Sequence, residues 1–174
     1  FITLDLYDGN YQEALDRLSL IAEDTDGASN FIPRALRYAH IYRYMNKKEL
    51  AHAYYDSTRV ILETKIQEQP DDHRFHSSLG FAYAGLGRKE EAIREGRLGT
   101  TLLPVSTDAW IGTHRISDLA QIYVMVGEYD SAIDQLEFLL SIPGTMTVHE
   151  LQLHPIWAPL RDHPRFQKLL EKWK

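Results

Sequence analysis

Apolar and polar positions along the chain fall into a phrase that occurs four times. A turn residue is followed by a polar pair or triplet, and then by an alanine that opens an apolar stripe. The copies read Gly9-Asn10-Tyr11-Gln12-Glu13-Ala14, Asn46-Lys47-Lys48-Glu49-Leu50-Ala51, Gly87-Arg88-Lys89-Glu90-Glu91-Ala92 and Gly127-Glu128-Tyr129-Asp130-Ser131-Ala132. Their alanines are 37, 41 and 40 residues apart. That is the period of helix–turn–helix repeats and not of a coiled coil.

A helical stretch precedes each of the last three phrases, with a small residue and a tyrosine three positions apart: Ala39 and Tyr42, Gly80 and Tyr83, Ala120 and Tyr123. Both lie on one helical face. The small residue predicts close approach of two antiparallel backbones, and the ring fills the space beside it. A second helix follows each phrase, with its stripe at Ala51, Tyr55 and Thr58, at Ala92, Gly96 and Gly99, and at Ala132, Leu136 and Leu139. Pro70, Pro104 and Pro143 end these helices. Pro70 follows Ala51 by 19 residues where Pro104 follows Ala92 by 12, so the earlier helix gains about two turns.

The pattern predicts helices at about 1–8, 11–23, 32–46, 47–69, 72–86, 88–103, 107–126 and 128–141. Gly27 with Ser29 and Asn30 marks the first loop between repeats, and Thr107-Asp108 supplies caps for the seventh helix. No sustained period-two alternation occurs, so no strand is expected.

This pattern resembles the tetratricopeptide repeat. The best copy runs from His73 to Ser106, although His76 stands where that repeat has a large aromatic. The resemblance implies an all-α fold, a right-handed superhelix of antiparallel helix pairs. Its repeats span 1–144: a truncated copy at 1–26 and full copies at 31–72, 73–106 and 107–144. Only Phe1 to Tyr7 serve as the first helix of the first copy, so the parent protein is expected to continue upstream.

Residues 145–174 are not a repeat. Thr147 and Glu150 spell a capping box for a short helix that ends before Pro155. Pro164 suits the first turn of a last helix with Phe166, Leu169, Leu170 and Trp173 on its apolar face. A stacked array exposes the apolar face of its last unit, and Ile156, Trp157, Leu160 and Phe166 are the residues expected to cover it. The run from Leu151 to Phe166, with Leu103 to Ser106, Ile122 to Tyr129 and Leu139 to Pro143, resembles the C-terminal repeat region of large bacterial signalling proteins. In those proteins the region follows a kinase, a nucleotide cyclase or a winged-helix domain. None of these domains is present here, so none of their activities carries over. The family has acidic residues where His154 and Ala158 stand, a departure expected to affect only the cap.

Composition narrows the function. Hydrophobic residues at 44% are too many for a disordered chain. No apolar run approaches the roughly 18 residues of a spanning helix. A net charge of −6 is the wrong sign for a nucleic-acid binder. Zero Cys excludes disulfides, thiol catalysis and Cys-ligated metal.

No nucleophile or phosphate-loop motif is present. His73 and His76 beside Asp71 and Asp72 read as a solvated helix start and not as metal ligands. Gly96 and Gly99 read as helix-packing glycines, and Glu90-Glu91 as a solvated helix start.

What remains is the inner face of the superhelix. Mapped residue by residue, the resemblance assigns Leu36, His40, Arg43 and Tyr44, then Arg74, Ser77 and Phe81, then His114, Ser117, Gln121 and Met125. Such a face is aromatic and mildly basic, which suits an extended peptide with one or two acidic groups. The expectation is a non-enzymatic, cofactor-free protein-interaction module in the cytoplasm, or in the periplasm if an upstream span precedes it. Its partner is a protein, a peptide or another domain of its own parent chain. One alternative is a homo-oligomeric scaffold pairing through Phe1, Ile2 and Leu4. Another is a small-molecule or metal sensor using the histidines. The carboxylate clamp of chaperone-tail binders is unmatched, because Leu36 and Ser77 stand where a basic residue is needed.

Overall fold

The computed structural model describes residues 2–144 and 146–173. Among them are ten α-helices: α1 (Ile2–Tyr7), α2 (Tyr11–Ser19), α3 (Arg34–Tyr44), α4 (Lys48–Glu68), α5 (His73–Gly85), α6 (Lys89–Leu102), α7 (Ala109–Met125), α8 (Tyr129–Ser141), α9 (Val148–Leu153) and α10 (Pro164–Lys172). A 3-10 helix, Pro155–Leu160, separates the last two.

The four turn residues of the repeated phrase share one backbone state. Gly9, Gly87 and Gly127 have φ of 73°, 75° and 79°, and Asn46 has 57°. Each stands just past the end of a helix, where left-handed geometry lets the next two amides turn back onto that helix's orphan carbonyls. Thus Gly87 N–H donates to Ala84 O at 3.1 Å and Arg88 N–H to Tyr83 O at 2.9 Å. The other three turns repeat this pair of bonds. The alanine five residues on is buried every time, at Ala14, Ala51, Ala92 and Ala132. The phrase is therefore a stop signal for one helix and the first core contact of the next.

Helices pair in sequence, α1 with α2, α3 with α4, α5 with α6 and α7 with α8, and α5 also touches both α3 and α7. Gly80 explains the closest pairing. A Cβ there would lie 2.6 Å from Ile122 Cδ1 and 3.2 Å from both Ala92 O and Gly96 N. The extra length of the fourth helix is present: α4 has 21 residues and α6 has 14.

Two expectations need correction. The second helix stops at Ser19 and not near residue 23, because the stripe that buries Ala14, Leu15 and Leu18 leaves the core at Leu20 and Ile21, both exposed. The chain then turns so that Asp24 accepts the Arg34 N–H at 2.7 Å and caps α3. A strand pair also exists. β1 (Thr25–Asp26) runs antiparallel to β2 (Phe31–Ile32), with Gly27 N–H donating to Asn30 O at 2.9 Å. Two-residue strands are too short to show alternation. Distant side chains hold this hairpin: Arg74 on Asp26 and on the Gly27 carbonyl, Ser78 on the Phe31 carbonyl, and Arg115 on the Ser29 carbonyl.

The C-terminal segment covers the last pair as expected. Ile156, Trp157, Leu160 and Phe166 are 1% exposed or less and join Leu136 and Leu139 in one apolar cluster. Thr147 Oγ1 accepts the Glu150 N–H at 3.1 Å and starts α9. His154 reaches beyond the C-terminal segment. Its ring packs edge-on against Tyr7 and Tyr44, with centroids 5.5 and 6.3 Å away, so the tail meets the first helix.

Candidate functional site

The helices α1, α3, α5 and α7, the hairpin loop and His154 line an open cavity of about 720 Å3. Its walls include Ile2, Leu6, Ile32, Leu36, Ile41 and Phe81, with Arg37, Arg115, Asp118, Asn30 and Gln121 among its polar groups. Helical spacing puts them there: Leu36, Arg37, His40, Ile41 and Tyr44 form one face of α3, and Arg115, Asp118 and Gln121 step by three along α7.

Five of the eleven residues expected on the inner face line this cavity: Leu36, His40, Tyr44, Phe81 and Gln121. The other six do not. Arg43 holds its guanidinium over the Tyr44 ring at 5.9 Å. Arg74 is committed to Asp72 and to the hairpin, so its charge is spoken for. Ser77 is buried against α6, where a Cβ on Gly99 would meet its hydroxyl at 2.6 Å. His114 lies edge-on to Trp110 with centroids 5.9 Å apart. Ser117 takes a 3.4 Å hydrogen bond from Gln121, and Met125 packs on the core.

The displacement on α5 and α7 is partial, since the expected Phe81 and Gln121 stay on the cavity wall. Positions 74, 77, 114 and 117 were expected, while 78, 115 and 118 line the void. Ser78, Arg115 and Asp118 each stand one residue past an expected position, a step of about 100° around a helix.

The principal residues missed in the sequence are Arg37, Arg115, Asp118, Asn30 and His154. Arg37 shares the expected face of α3 and was legible from spacing alone. Arg115 is 1% exposed. Its Nη2 donates to Ser29 O at 2.5 Å and lies 3.0 Å from Asp118 Oδ2. Asp118 keeps 21% of its side chain accessible because it faces the cavity. Burial pushes its carboxyl up, against the pull of Arg115 and His114.

The two histidines in the wall are neutral at pH 7. Burial, with help from Arg43 and His154, lowers His40 to about 3. Burial lowers His154 to about 4. The Tyr44 hydroxyl is raised by burial and stays protonated.

No protein-family model matches the chain, and neither a curated protein nor a solved structure matches it significantly.

His76 is not at a solvated helix start. It is 4% exposed, with Nδ1 2.7 Å from Glu95 Oε2 and Nε2 2.7 Å from Pro70 O. Among the described residues no three His, Asp or Glu side chains converge as metal ligands, and no helix is long and apolar enough to cross a membrane. Of the residues named for self-association, Phe1 lies outside the described residues, Ile2 lines the cavity, and Leu4 is 58% exposed.

Proposed function

We propose that the chain is a non-enzymatic interaction module of the tetratricopeptide-repeat kind, and that its concave side holds a short segment of a protein partner. The observation that carries this reading is the convergence of Leu36, His40, Tyr44, Phe81 and Gln121, assigned from the repeat pattern, on one cavity. The apolar wall offers contact area, and the arginines favour a segment that pairs acidic with bulky apolar residues. Preformed walls keep the ordering cost of binding on the partner's side.

The closing run from Leu151 to Phe166 supports placing this module in a larger bacterial signalling protein, as its regulatory or scaffold part. The partner is then another protein or another domain of the same chain. A cytoplasmic site of action fits that placement.

Selection of short random peptides against the immobilised chain tests the reading. Enriched peptides are expected to combine an acidic residue with large apolar neighbours. Arg37→Glu and Gln121→Glu, checked for unchanged helical circular dichroism, are expected to weaken their capture about tenfold. If no sequence class is enriched, or both variants capture the peptides as the parent does, the concave-face reading fails.

A further inference from the structure

Three arginines and one aspartate line the cavity of a chain whose net charge is −6. Two of these cations are ion-paired within the fold. Arg17 pairs with Asp5 at 2.8 Å, and Arg115 with Asp118 at 3.0 Å and two backbone carbonyls. Arg37 is different. It is half-buried, and among the described residues its guanidinium makes neither an ion pair nor a hydrogen bond. Asp24, the acid that acts on it electrostatically, is engaged in capping α3. A guanidinium without a protein partner on the wall of a cavity offers its donors to an incoming anion. A second donor is also unmet: Arg115 Nε is buried and unpartnered.

We propose that this cavity binds a small amphipathic carboxylate, with Arg37 as the anion anchor and the aliphatic wall as the seat of the apolar body. The volume of about 720 Å3 lies within the roughly 300–1,000 Å3 of small-molecule sites. Ile2, Leu6, Ile32, Leu36, Ile41 and Phe81 supply hydrocarbon contact. The amides of Asn30 and Gln121 are further donors on the same wall. A single negative charge is favoured over two. Only one arginine is free, and Asp118 on the wall repels additional charge. The uncharged state of His40 and His154 leaves the rest of the wall apolar in character. This inference rests on the cavity alone, and it stands or falls separately from the capture of a protein segment.

Calorimetric titration of the full chain with decanoate, decanol and decyl phosphate tests it. Decanoate is expected to bind once per chain with a Kd of about 0.1 mM or tighter. Decanol, which keeps the apolar body and loses the charge, is expected to bind at least about tenfold more weakly. Decyl phosphate is expected to bind more weakly than decanoate. Arg37→Gln should cost decanoate about tenfold or more and leave decanol unchanged, and Arg37→Lys should recover part of the loss. Thr3→Trp, at an exposed position on the cavity wall, fills the void without altering its charge and should abolish all binding. Equal affinity for decanoate and decanol, a preference for decyl phosphate, unaltered decanoate binding by either Arg37→Gln or Thr3→Trp, or no binding at all would overturn the assignment.

Discussion

His76 and Glu95 form a buried pair in which both imidazole nitrogens face acceptors. Nδ1 lies 2.7 Å from the Glu95 carboxylate and Nε2 lies 2.7 Å from the Pro70 carbonyl. A neutral ring carries one N–H, so meeting both acceptors takes the imidazolium form. Burial alone disfavours that charge, but the bonds to Glu95 and Pro70 outweigh it and raise His76 above its ordinary value. Burial likewise works against the Glu95 charge, and His76 with Arg94 holds its carboxyl below the usual range.

Breaking this pair leaves an uncompensated buried charge, so His76→Gln and Glu95→Gln should each cost about 3 kcal/mol in urea unfolding. The pH dependence has a definite sign. Stability from His76 is complete below about 6.5 and is lost as pH rises through its raised folded value; stability from Glu95 is lost as pH falls below about 4.5. The parent should therefore weaken as pH rises above about 6.5, and His76→Gln should not. An alkaline slope that persists in His76→Gln would rule the pair out as its source.

The cavity histidines act on the other side of neutrality. His40 and His154 are held neutral, down to about 3 and about 4, while the unfolded chain binds their protons near 6.5. Each therefore removes up to about 1.4 kcal/mol per pH unit below that point. Asp118 and Glu150, both raised by burial, oppose the trend, because protonation relieves them as pH falls. The two histidines together remove roughly 3 kcal/mol between pH 6.5 and 5, and the two acids return part of it. His40 sits edge-on to Tyr55 and Phe81 at 5.7 and 5.3 Å, a place a phenyl ring fits. His40→Phe should halve the acid slope; an unchanged slope assigns it to other groups.

At Gly87 the conformational cost of a side chain can be measured alone. A Cβ added there meets nothing within 4 Å, and φ is +75°. Gly87→Ala should destabilise by about 1 kcal/mol through left-handed backbone strain, lowering the melting temperature by about 2–4 °C. Asn46→Gly, at the equivalent turn with φ of 57°, should move the melting temperature the other way. Shifts of the same sign at both positions would contradict the shared turn geometry.

Arg74 links the hairpin to α5, with Nη1 2.8 Å from Asp26 Oδ1 and 2.9 Å from Gly27 O. Arg74→Ala should accelerate hydrogen exchange at the Gly27 amide at least about tenfold while amides in α5 and α6 keep their protection. Unchanged exchange at Gly27 would show that Ser78 and Arg115 hold the hairpin unaided.

Much of the helical architecture was written in local chemistry. Turn residues at Gly9, Asn46, Gly87 and Gly127, the alanines after them and the prolines at 70, 104 and 143 each act within a few residues, so sequence spacing reports them directly. The hairpin was hidden because its anchors, Arg74, Ser78 and Arg115, lie far along the chain from residues 25–32. The site was half legible. The assigned Leu36, His40, Tyr44, Phe81 and Gln121 line the cavity, but Ser78 and Asp118 line it in place of the assigned Ser77 and Ser117, and hydropathy does not resolve a step of one residue. The ion pair of Arg115 and Asp118 and the reach of His154 depend on tertiary placement that no local pattern encodes.

A string of stacked units normally feels only its neighbours, so it can come apart from one end while the other stays whole. The contact of His154 with Tyr7 and Tyr44 joins the two extremities of this string. Loosening the tail then takes a wall away from the void and a partner away from the opening helix in the same event. Damage to the C-terminal segment is then expected to reach α1 and α3 through this one ring.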